Sequence, residues 1–380
     1  MRAAAQKSEA VYDIWLDRIK GLRSGEKKML LERCGSSKII FDGGAEAACL
    51  EMTGVELEQH PNRLRWKNSF QKDLGPAEEQ LIYMEKKGIR WVSLFSPDYP
   101  PYLAQLEDAP WLLYYRGRIR LLREPGVAVV GTRKGTEYGR FTAGEIGRRL
   151  GMAGVTVVSG MAYGADACAH KGALEGGKTL EPGNRGGTAA VLGCGVDICY
   201  PKANARLMEQ IIREGVALSE LVPGTEPRPY FFPLRNRIIS GLCKAVVVAE
   251  AGLKSGSLIT AGLAADQGRD VYAVPGNINR SCSAGANRLI KDGACPVVDL
   301  DDLMRELGIL QQNITEHSQN QLGEAERKLY NKVLDAGEIQ VEQLARELGF
   351  PPAQTNALVT ILEMKGILQS TLGKILIAKS

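Results

Sequence analysis

Six short apolar runs constrain the fold of this chain more than any other feature of its sequence. Each run is three to five residues long, and a Gly- or Ser-rich turn and a helix-length amphipathic segment follow most of them. Nearly continuous apolar strands that alternate with helices are typical of a parallel sheet covered on both faces. The pattern therefore predicts an α/β fold, Rossmann-like and doubly wound, around a mostly parallel sheet. The runs recur about every 25–35 residues, at 127–130, 155–158, 189–192, 216–218, 245–249 and 271–274.

The flanking segments predict three further parts of the chain. Residues 1–75 carry amphipathic helical stretches and predict a small helical domain of the SAM or helix-hairpin-helix type. An aromatic- and proline-rich bridge indicates extended and turn structure at the start of the sheet domain, which we place at 76–307. The polar, Gln- and Asn-rich segment 308–323 predicts a linker. Three helical patterns followed by a β-like segment predict a winged helix at 324–380.

The composition indicates a cytoplasmic protein that does not enter a membrane. No apolar run approaches the roughly 20 residues that a membrane-spanning helix needs, and the N-terminal segment lacks the apolar core of a signal peptide. The 8 cysteines include no C-x-x-C pair, and the 3 histidines leave few ligands for a zinc site. We therefore expect reduced thiols, no metal and no other cofactor.

The loops that follow the apolar runs predict the binding site. In an open parallel sheet, ligands bind where strands end and helices begin. Here these loops are rich in glycine and hydroxyl residues and carry Arg133 and Lys254, while the stretch 231–237 adds Arg235. Glycine lets an anion approach the backbone, and a helix N-terminus offers free N–H donors. Because residues 115–140 also hold seven basic residues against two acidic ones, the pattern favours phosphate binding over turn formation alone.

Motifs of the common nucleotide and hydrolytic enzymes are missing from the same loops. No strand is followed by G-x-G-x-x-G with a distant acidic residue, and no G-x-x-x-x-G-K-[ST] is present. Ser159 does not lie in a G-x-S-x-G turn. Asp166 and His170 are four residues apart on a predicted helix, where a local hydrogen bond is favoured over a catalytic dyad. We therefore expect a binding protein rather than an enzyme.

Several segments resemble the DNA-processing protein A family (DprA, also called Smf). The pair FFPLRNRIISGL and EAGLKSGSLITAGLA is the most specific part of this resemblance. Such proteins are factors of natural transformation that bind incoming single-stranded DNA, protect it and load the RecA recombinase onto it. The resemblance implies that the chain is a homodimer and needs neither metal nor nucleotide hydrolysis. The similar segments lie at 99–117, 127–139, 159–174, 190–201, 231–242, 247–264 and 274–278.

The family motifs imply the residues that contact DNA phosphates and bases. A basic groove would follow the backbone, and Phe231 or Phe232 would offer a stacking face. Only one of Arg235 and Arg237 is expected to reach DNA, whichever secondary structure holds them. Within the sheet domain the expected DNA-binding residues are Gly131, Thr132, Arg133, Lys134, Ser159, Gly160, Phe232, Arg235, Asn236, Arg237, Lys254, Ser255, Gly256, Ser257 and Thr260.

Three weaker hypotheses accompany this interpretation. Leu289 and Ile290 are candidates for the dimer interface, although ordinary core burial is favoured for each. Residues 179–187 look like an insertion, which we expect to be a surface loop or an added contact through Arg185. The predicted recognition helix of the winged helix has one lysine and no arginine, which favours a protein-contact or regulatory role over binding of duplex DNA.

The main alternative is a nucleotide-binding enzyme of the nucleoside monophosphate hydrolase type. Related Rossmann-like folds carry a catalytic glutamate near a Gly-rich loop. In this chain Glu250 is the one carboxylate close to the corresponding loop before Asp266, and it would have to act as the base.

Overall fold

A nine-stranded sheet forms the centre of the larger of two compact units. The computed structural model describes residues 2–180, 187–309, 323–364, 367–371 and 374–377, and the two units are residues 1–298 and 299–380. The insertion core 181–186 and most of the predicted linker lie outside the described residues. The strands are β1 (Arg90–Ser93), β2 (Leu112–Gly117), β3 (Gly126–Gly131), β4 (Val157–Ser159), β5 (Thr188–Val191), β6 (Val216–Ser219), β7 (Cys243–Glu250), β8 (Asp270–Ala273) and β9 (Cys295–Pro296).

The strand order confirms the doubly wound, mostly parallel fold. It runs β1-β2-β6-β5-β4-β3-β7-β8-β9, and all pairs from β6 to β9 are parallel. β1 and β2, from the aromatic bridge, add an antiparallel edge. The chain builds outward from β3 to β6 and then returns to place β7 on the other side of β3. This reversal creates a topological switch point, and the loops that follow β3 and β7 meet there.

Helices cover both faces of the sheet. All six predicted apolar runs overlap strands, although β4 starts two residues later than the run at 155–158. The reason is that the Val155 N–H donates to Leu150 O at 3.0 Å and closes the end of the preceding helix. The helices are α1 (Arg2–Arg18), α2 (Ser24–Cys34), α3 (Ser37–Thr53), α4 (Arg63–Ser69), α5 (Gly75–Lys87), α6 (Pro101–Ala104), α7 (Glu137–Met152), α8 (Ala165–Gly177), α9 (Ala205–Glu214), α10 (Phe231–Gly241), α11 (Gly256–Asp266) and α12 (Ala284–Lys291).

Helices α7 and α8, which follow β3 and β4, pack with their backbones in contact. A Cβ added to Gly172 would lie 2.0 Å from Gly144 O, and one added to Gly147 would lie 2.3 Å from Ala169 O. Only glycine fits at such distances, so these residues set how closely the two helices approach. The loops at the start of both helices are thereby held in a fixed position at the strand ends.

The N-terminal helices share a hydrophobic core with the sheet. Ile14 and Leu30 belong to the same buried cluster as Trp111 and Tyr114 of the β2 region. The carboxylate of Asp17 in α1 accepts hydrogen bonds from Trp111 Nε1 at 3.0 Å and from the Tyr114 hydroxyl at 2.7 Å. Residues 1–75 therefore belong to the same compact unit as the sheet, and a separate helical domain ending at residue 75 stays a prediction.

The second unit contains helices and a small antiparallel sheet. Its sheet order is β10-β12-β11, and its core includes Leu329, Leu344, Leu362 and Ile375. The winged-helix assignment of 324–380 stays a prediction. Among the helices that the structure describes, none is both long and apolar enough to span a bilayer. The elements are α13 (Leu300–Glu306), α14 (Glu324–Ala336), β10 (Glu338–Gln340), α15 (Val341–Leu348), α16 (Pro352–Met364), β11 (Leu368–Thr371) and β12 (Lys374–Ile377).

Candidate nucleic-acid interface

A cavity of about 600 Å³ opens at the switch point between β3 and β7. The loops after these two strands form part of its lining, and the first turns of α10 and α11 form most of the rest. Twelve of the fifteen predicted DNA-binding residues line it: Gly131, Thr132, Arg133, Lys134, Phe232, Arg235, Asn236, Lys254, Ser255, Gly256, Ser257 and Thr260.

Glu250 holds the β3 loop in place. The Thr132 N–H donates to the backbone oxygen of Glu250 at 2.8 Å. The carboxylate accepts from the Thr136 N–H at 2.7 Å and from the Thr136 hydroxyl at 2.8 Å, and Thr136 caps the first turn of α7. A carboxylate at a helix N-terminus is favourable, because the unpaired N–H groups there carry partial positive charge. Glu250 is 4% exposed and fully engaged, so its role in this geometry is structural.

The β7 loop delivers the N-terminus of α11 to the cavity. Ser255 is the cap residue, and its hydroxyl oxygen accepts from the Ser257 N–H at 3.4 Å. The two hydroxyl groups lie 2.8 Å apart. The positive end of α11, flanked by the exposed Lys254, can therefore attract an anion from the cavity.

Three cations at the cavity are accessible to solvent. Arg133, Lys134 and Lys254 are exposed, and within the described part of the chain no acidic side chain forms a salt bridge with them. The Arg133 guanidinium lies 5.3 Å from the centroid of the Phe232 ring, a cation–π distance that holds the arginine beside the aromatic ring. These charges are available to phosphate groups.

Arg235 lines the cavity but is mostly a structural residue. It is 6% exposed and donates to Gly160 O at 2.8 Å and to Val191 O, so it links the ends of β4 and β5. Burial lowers the pKa of Arg235 to about 10, which leaves it protonated at neutral pH. Burial also raises the pKa of the neighbouring Asp166, and the attraction of Arg235 opposes that effect. The fixed charge of Arg235 stabilises the floor of the cavity.

The structure places three of the predicted residues away from the cavity. Arg237, two residues after Arg235 on α10, pairs with Glu220 at 2.6 Å and with Asp108 at 3.0 Å. Ser159 is fully buried, and its hydroxyl donates to Val129 O at 2.7 Å. The Gly160 N–H donates to Asp166 at 3.2 Å. The contacts of all three residues lie within the fold rather than in the cavity, although Arg237 Nη1 is buried with no hydrogen-bond partner among the described residues.

The expected hydrogen bond between Asp166 and His170 is wrong. The Asp166 carboxylate accepts from the backbone of Gly160 and Ala162, at 3.2 and 3.3 Å. His170 Nδ1 lies 2.6 Å from the Thr188 hydroxyl on β5. The Asp166 carboxylate turns back to the loop that precedes α8, whereas His170 reaches the first residue of β5, and both side chains are buried. The described residues therefore hold no Asp–His dyad at these positions.

Tyr200 is the main cavity residue that sequence reasoning missed. It lines the cavity and stacks on Phe232, with ring centroids 5.4 Å apart. The sequence prediction took only the first residues after the apolar run 189–192, and Tyr200 lies further along the same loop. The signal was present as an aromatic residue in the loop that follows β5, inside one of the family-like segments.

The two dimer candidates lie on α12. Leu289 and Ile290 are partly buried and pack against the hydrophobic cluster of the β7 and β8 side of the sheet. This packing accounts for their apolar character, and their part in a dimer stays a hypothesis.

Comparison with known proteins gives the family. The model of the DNA recombination-mediator protein A family matches residues 90–308. DNA processing protein DprA from Streptococcus pneumoniae is 44% identical over 215 residues, 56% of this chain and 73% of that protein. The X-ray structure of DNA processing protein A from Streptococcus pneumoniae matches with a TM-score of 0.64 and 34% identity, covering 78% of this chain and 97% of that one.

A second solved structure concerns nucleic-acid binding. It describes a single-stranded DNA binding mode of DNA processing protein A from Helicobacter pylori, and it matches with a TM-score of 0.51 and 30% identity. The match covers 58% of this chain and 97% of that one. The family model alone spans more than half of this chain, across the whole of the sheet that builds the cavity. The chain belongs to the DNA recombination-mediator protein A family, also known as DprA or Smf.

Proposed function

We propose that this chain binds single-stranded DNA, without catalysing a reaction on it, in the cavity at the β3–β7 switch point. The observation that carries the proposal is the convergence on one cavity of the N-terminus of α11 and three exposed cations, none of which pairs with an acidic side chain among the described residues. Arg133 and Lys134 come from the β3 loop and Lys254 from the β7 loop. Backbone phosphates fit this arrangement, since it offers both exposed positive charge and oriented N–H donors.

The shape and lining of the cavity favour a single strand over a duplex. The binding surface is a recess between loops, lined by the aromatic rings of Tyr200 and Phe232 as well as by cations. A flexible single strand can place phosphates and unpaired bases into such a recess, and its bases have free faces for aromatic side chains. The single-stranded DNA binding described for the Helicobacter pylori relative supports the same assignment.

The carboxylates of the site do not favour the nucleotide-hydrolysing alternative. Glu250 is occupied by Thr136 at the start of α7, and Asp166 by the backbone of the β4 loop. A general base has to reach the group from which it takes a proton, and both carboxylates are already used as hydrogen-bond acceptors. We therefore assign the cavity to binding.

The proposal is tested by fluorescence anisotropy with a labelled single strand and the matching duplex. The variants Arg133→Glu and Lys254→Glu should each weaken single-strand binding at least tenfold, since each reverses a charge at the phosphate site. Lys86→Glu is the matched control, because Lys86 is an exposed cation on α5 that does not line the cavity. With three neutralised phosphates, the logarithm of the affinity should fall with the logarithm of salt concentration at a slope of about −2.

Equal loss of affinity in Lys86→Glu and Arg133→Glu would reduce the binding to a general charge effect and contradict the proposed site. Binding of wild-type protein that does not change with salt would contradict the phosphate contacts altogether. Release of free base from a nucleoside monophosphate would favour the enzymatic alternative.

The finer functions implied by the family belong to the same proposal. We propose that the chain acts in the cytoplasm as a homodimer, protects incoming DNA and loads RecA onto it during natural transformation. Protection is measured as survival of a bound strand in nuclease. Loading is measured as RecA ATP hydrolysis on DNA coated beforehand with single-strand-binding protein. If Arg133→Glu supports as much ATP hydrolysis as wild type, loading does not depend on this cavity.

Dimer formation is measured by sedimentation. The variants Leu289→Glu and Ile290→Glu should shift a dimer to monomer if α12 forms the interface. Loss of folding in both variants, seen by circular dichroism, would instead assign these residues to the core alone.

A further inference from the structure

Phe232, which the sequence predicts as a stacking face for DNA bases, is enclosed by neighbouring groups. Its ring stacks on Tyr200, with centroids 5.4 Å apart and an interplanar angle of 28°. The Arg133 guanidinium lies 5.3 Å from its centroid. A Cβ added to Gly193 would lie 2.8 Å from Phe232 Cδ1, so this edge of the ring touches the backbone of the β5 loop. These three contacts leave Phe232 partly buried, so less of its ring than of Tyr200 is accessible to a base.

Tyr200 is the accessible member of the aromatic pair. It lines the same cavity as Arg133 and is 43% exposed. The loop that carries it is tied to the β4 loop, because Asn204 Nδ2 donates to Met161 O at 2.9 Å. An accessible ring on a fixed loop, backed by a second ring, is well suited to receive a stacked base.

We propose that a base of the bound strand stacks on Tyr200, and that Phe232 is a positioning residue that supports this ring and holds Arg133 beside it. The inference rests on the proposed function and adds a base contact to its phosphate contacts. Every base has an aromatic face, so stacking tolerates any sequence. In a duplex both faces of each base are covered by neighbours, so this contact selects for unpaired bases.

The test is a double-mutant cycle between the Tyr200 ring and the bases of the strand. One ligand is oligothymidine of about 12 nucleotides, a length within the usual site sizes, and the other is the same strand made of abasic nucleotides. Both carry the same phosphates, so they differ only in what can stack. The proteins are wild type, Tyr200→Leu, Tyr200→Phe and the control Phe95→Ala, which removes a ring that is 58% exposed and does not line the cavity.

Wild type should bind oligothymidine more tightly than the abasic strand. In Tyr200→Leu this preference should shrink roughly 5- to 150-fold, as expected for one stacked base at about 1–3 kcal/mol. Tyr200→Phe keeps the ring and should match wild type, and Phe95→Ala should match it too. Thermal melting of each variant checks that it is folded, and the leucine variant should fold because Tyr200 is 43% exposed.

Two results would overturn the stacking inference while leaving the proposed function intact. In the first, Tyr200→Leu prefers oligothymidine over the abasic strand as strongly as wild type does, while Arg133→Glu still abolishes binding of oligothymidine. The other is a loss in Tyr200→Leu that is equal for both ligands, since a merely structural role would weaken binding of phosphates and bases alike. If wild type and Arg133→Glu bind oligothymidine equally, the proposed site itself is refuted.

Discussion

Replacing His170 should reduce the loss of stability between pH 7 and pH 5 by about 2 kcal/mol. His170 is completely buried on α8, and its Nδ1 lies 2.6 Å from the Thr188 hydroxyl. That hydroxyl donates to Val157 O at 2.7 Å, so it can only accept from the histidine. Nδ1 therefore carries the proton, and Nε2 is left buried with no hydrogen-bond partner among the described residues. Protonating Nε2 would bury an unpaired positive charge.

The size of the effect follows from the pKa of His170. Burial, with a smaller contribution from the nearby charge of Arg235, lowers this pKa from 6.5 to about 3. Because the folded-state pKa is lowered, His170 does not reduce the free energy of unfolding above pH 6.5. As the pH falls from 6.5 towards 3, only the unfolded chain takes up the proton, and the free energy of unfolding decreases. At pH 5 the unfolded chain is protonated and the folded protein is not. The free energy of unfolding should therefore fall by about 2 kcal/mol between pH 7 and pH 5 from this residue alone.

Urea unfolding of wild type and His170→Gln at both pH values measures this term. The glutamine does not titrate, so the fall in unfolding free energy should be about 2 kcal/mol smaller in the variant, whatever its absolute stability. Contributions of the acidic groups are common to both proteins and cancel in this difference. His60→Gln is the control, because His60 is partly exposed and takes no part in this network. An equal pH dependence in wild type and His170→Gln would refute the reasoning.

Three further substitutions separate residues that shape the fold from those that face the cavity. Gly172→Ala should destabilise the protein by roughly 3 kcal/mol or more in thermal or urea unfolding, because its Cβ would lie 2.0 Å from a carbonyl oxygen of α7. Gly262→Ala is the matched control in α11, because no atom lies within 4 Å of the added Cβ, and it should be neutral or stabilise the protein by up to about 1 kcal/mol. Equal melting temperatures of the Gly172→Ala and Gly262→Ala variants would contradict the packing argument. Glu250→Ala should lower stability by about 2 kcal/mol, because the Thr136 N–H and hydroxyl at the start of α7 lose their acceptor. Wild type and this variant should be equally inactive in nucleotide-hydrolysis assays. Arg237→Ala should cost about 1–3 kcal/mol because it leaves Glu220 unpaired in a partly buried site. Anisotropy at low temperature should nevertheless show nearly unchanged single-strand affinity, and a loss as large as that of Arg133→Glu would place Arg237 in the interface.

Local sequence patterns predicted much of the fold. The apolar runs gave the six parallel strands from β3 to β8, because a strand buried on both faces needs apolar residues throughout its short length. The loops that follow these runs gave most of the cavity lining, since glycine, hydroxyl residues and cations at strand ends are close together in sequence. Twelve of the predicted residues indeed line one cavity.

The sequence could not separate the two arginines of α10. Arg235 and Arg237 lie in one motif and have the same chemistry, yet one reaches the backbone of Gly160 and the other the carboxylate of Glu220. The partner of Arg235 comes from the β4 loop, 75 residues earlier in the chain, whereas Arg237 pairs with Glu220 of the β6 loop, which leads into α10, and with the distant Asp108. Burial therefore depends on how the strands are ordered, and no local pattern carries that information.

What the sequence alone determined is the set of strands, helices and cation-bearing loops, because periodicity and turn chemistry act over a few neighbouring residues. Tertiary structure decided which of these loops meet. The return of the chain to β7 beside β3 brings Arg133 and Lys254 to one cavity although 121 residues separate them in the sequence. The same long-range packing places Tyr200 on Phe232 and joins the N-terminal helices to the sheet, because distant residues gain stability by burying surface together.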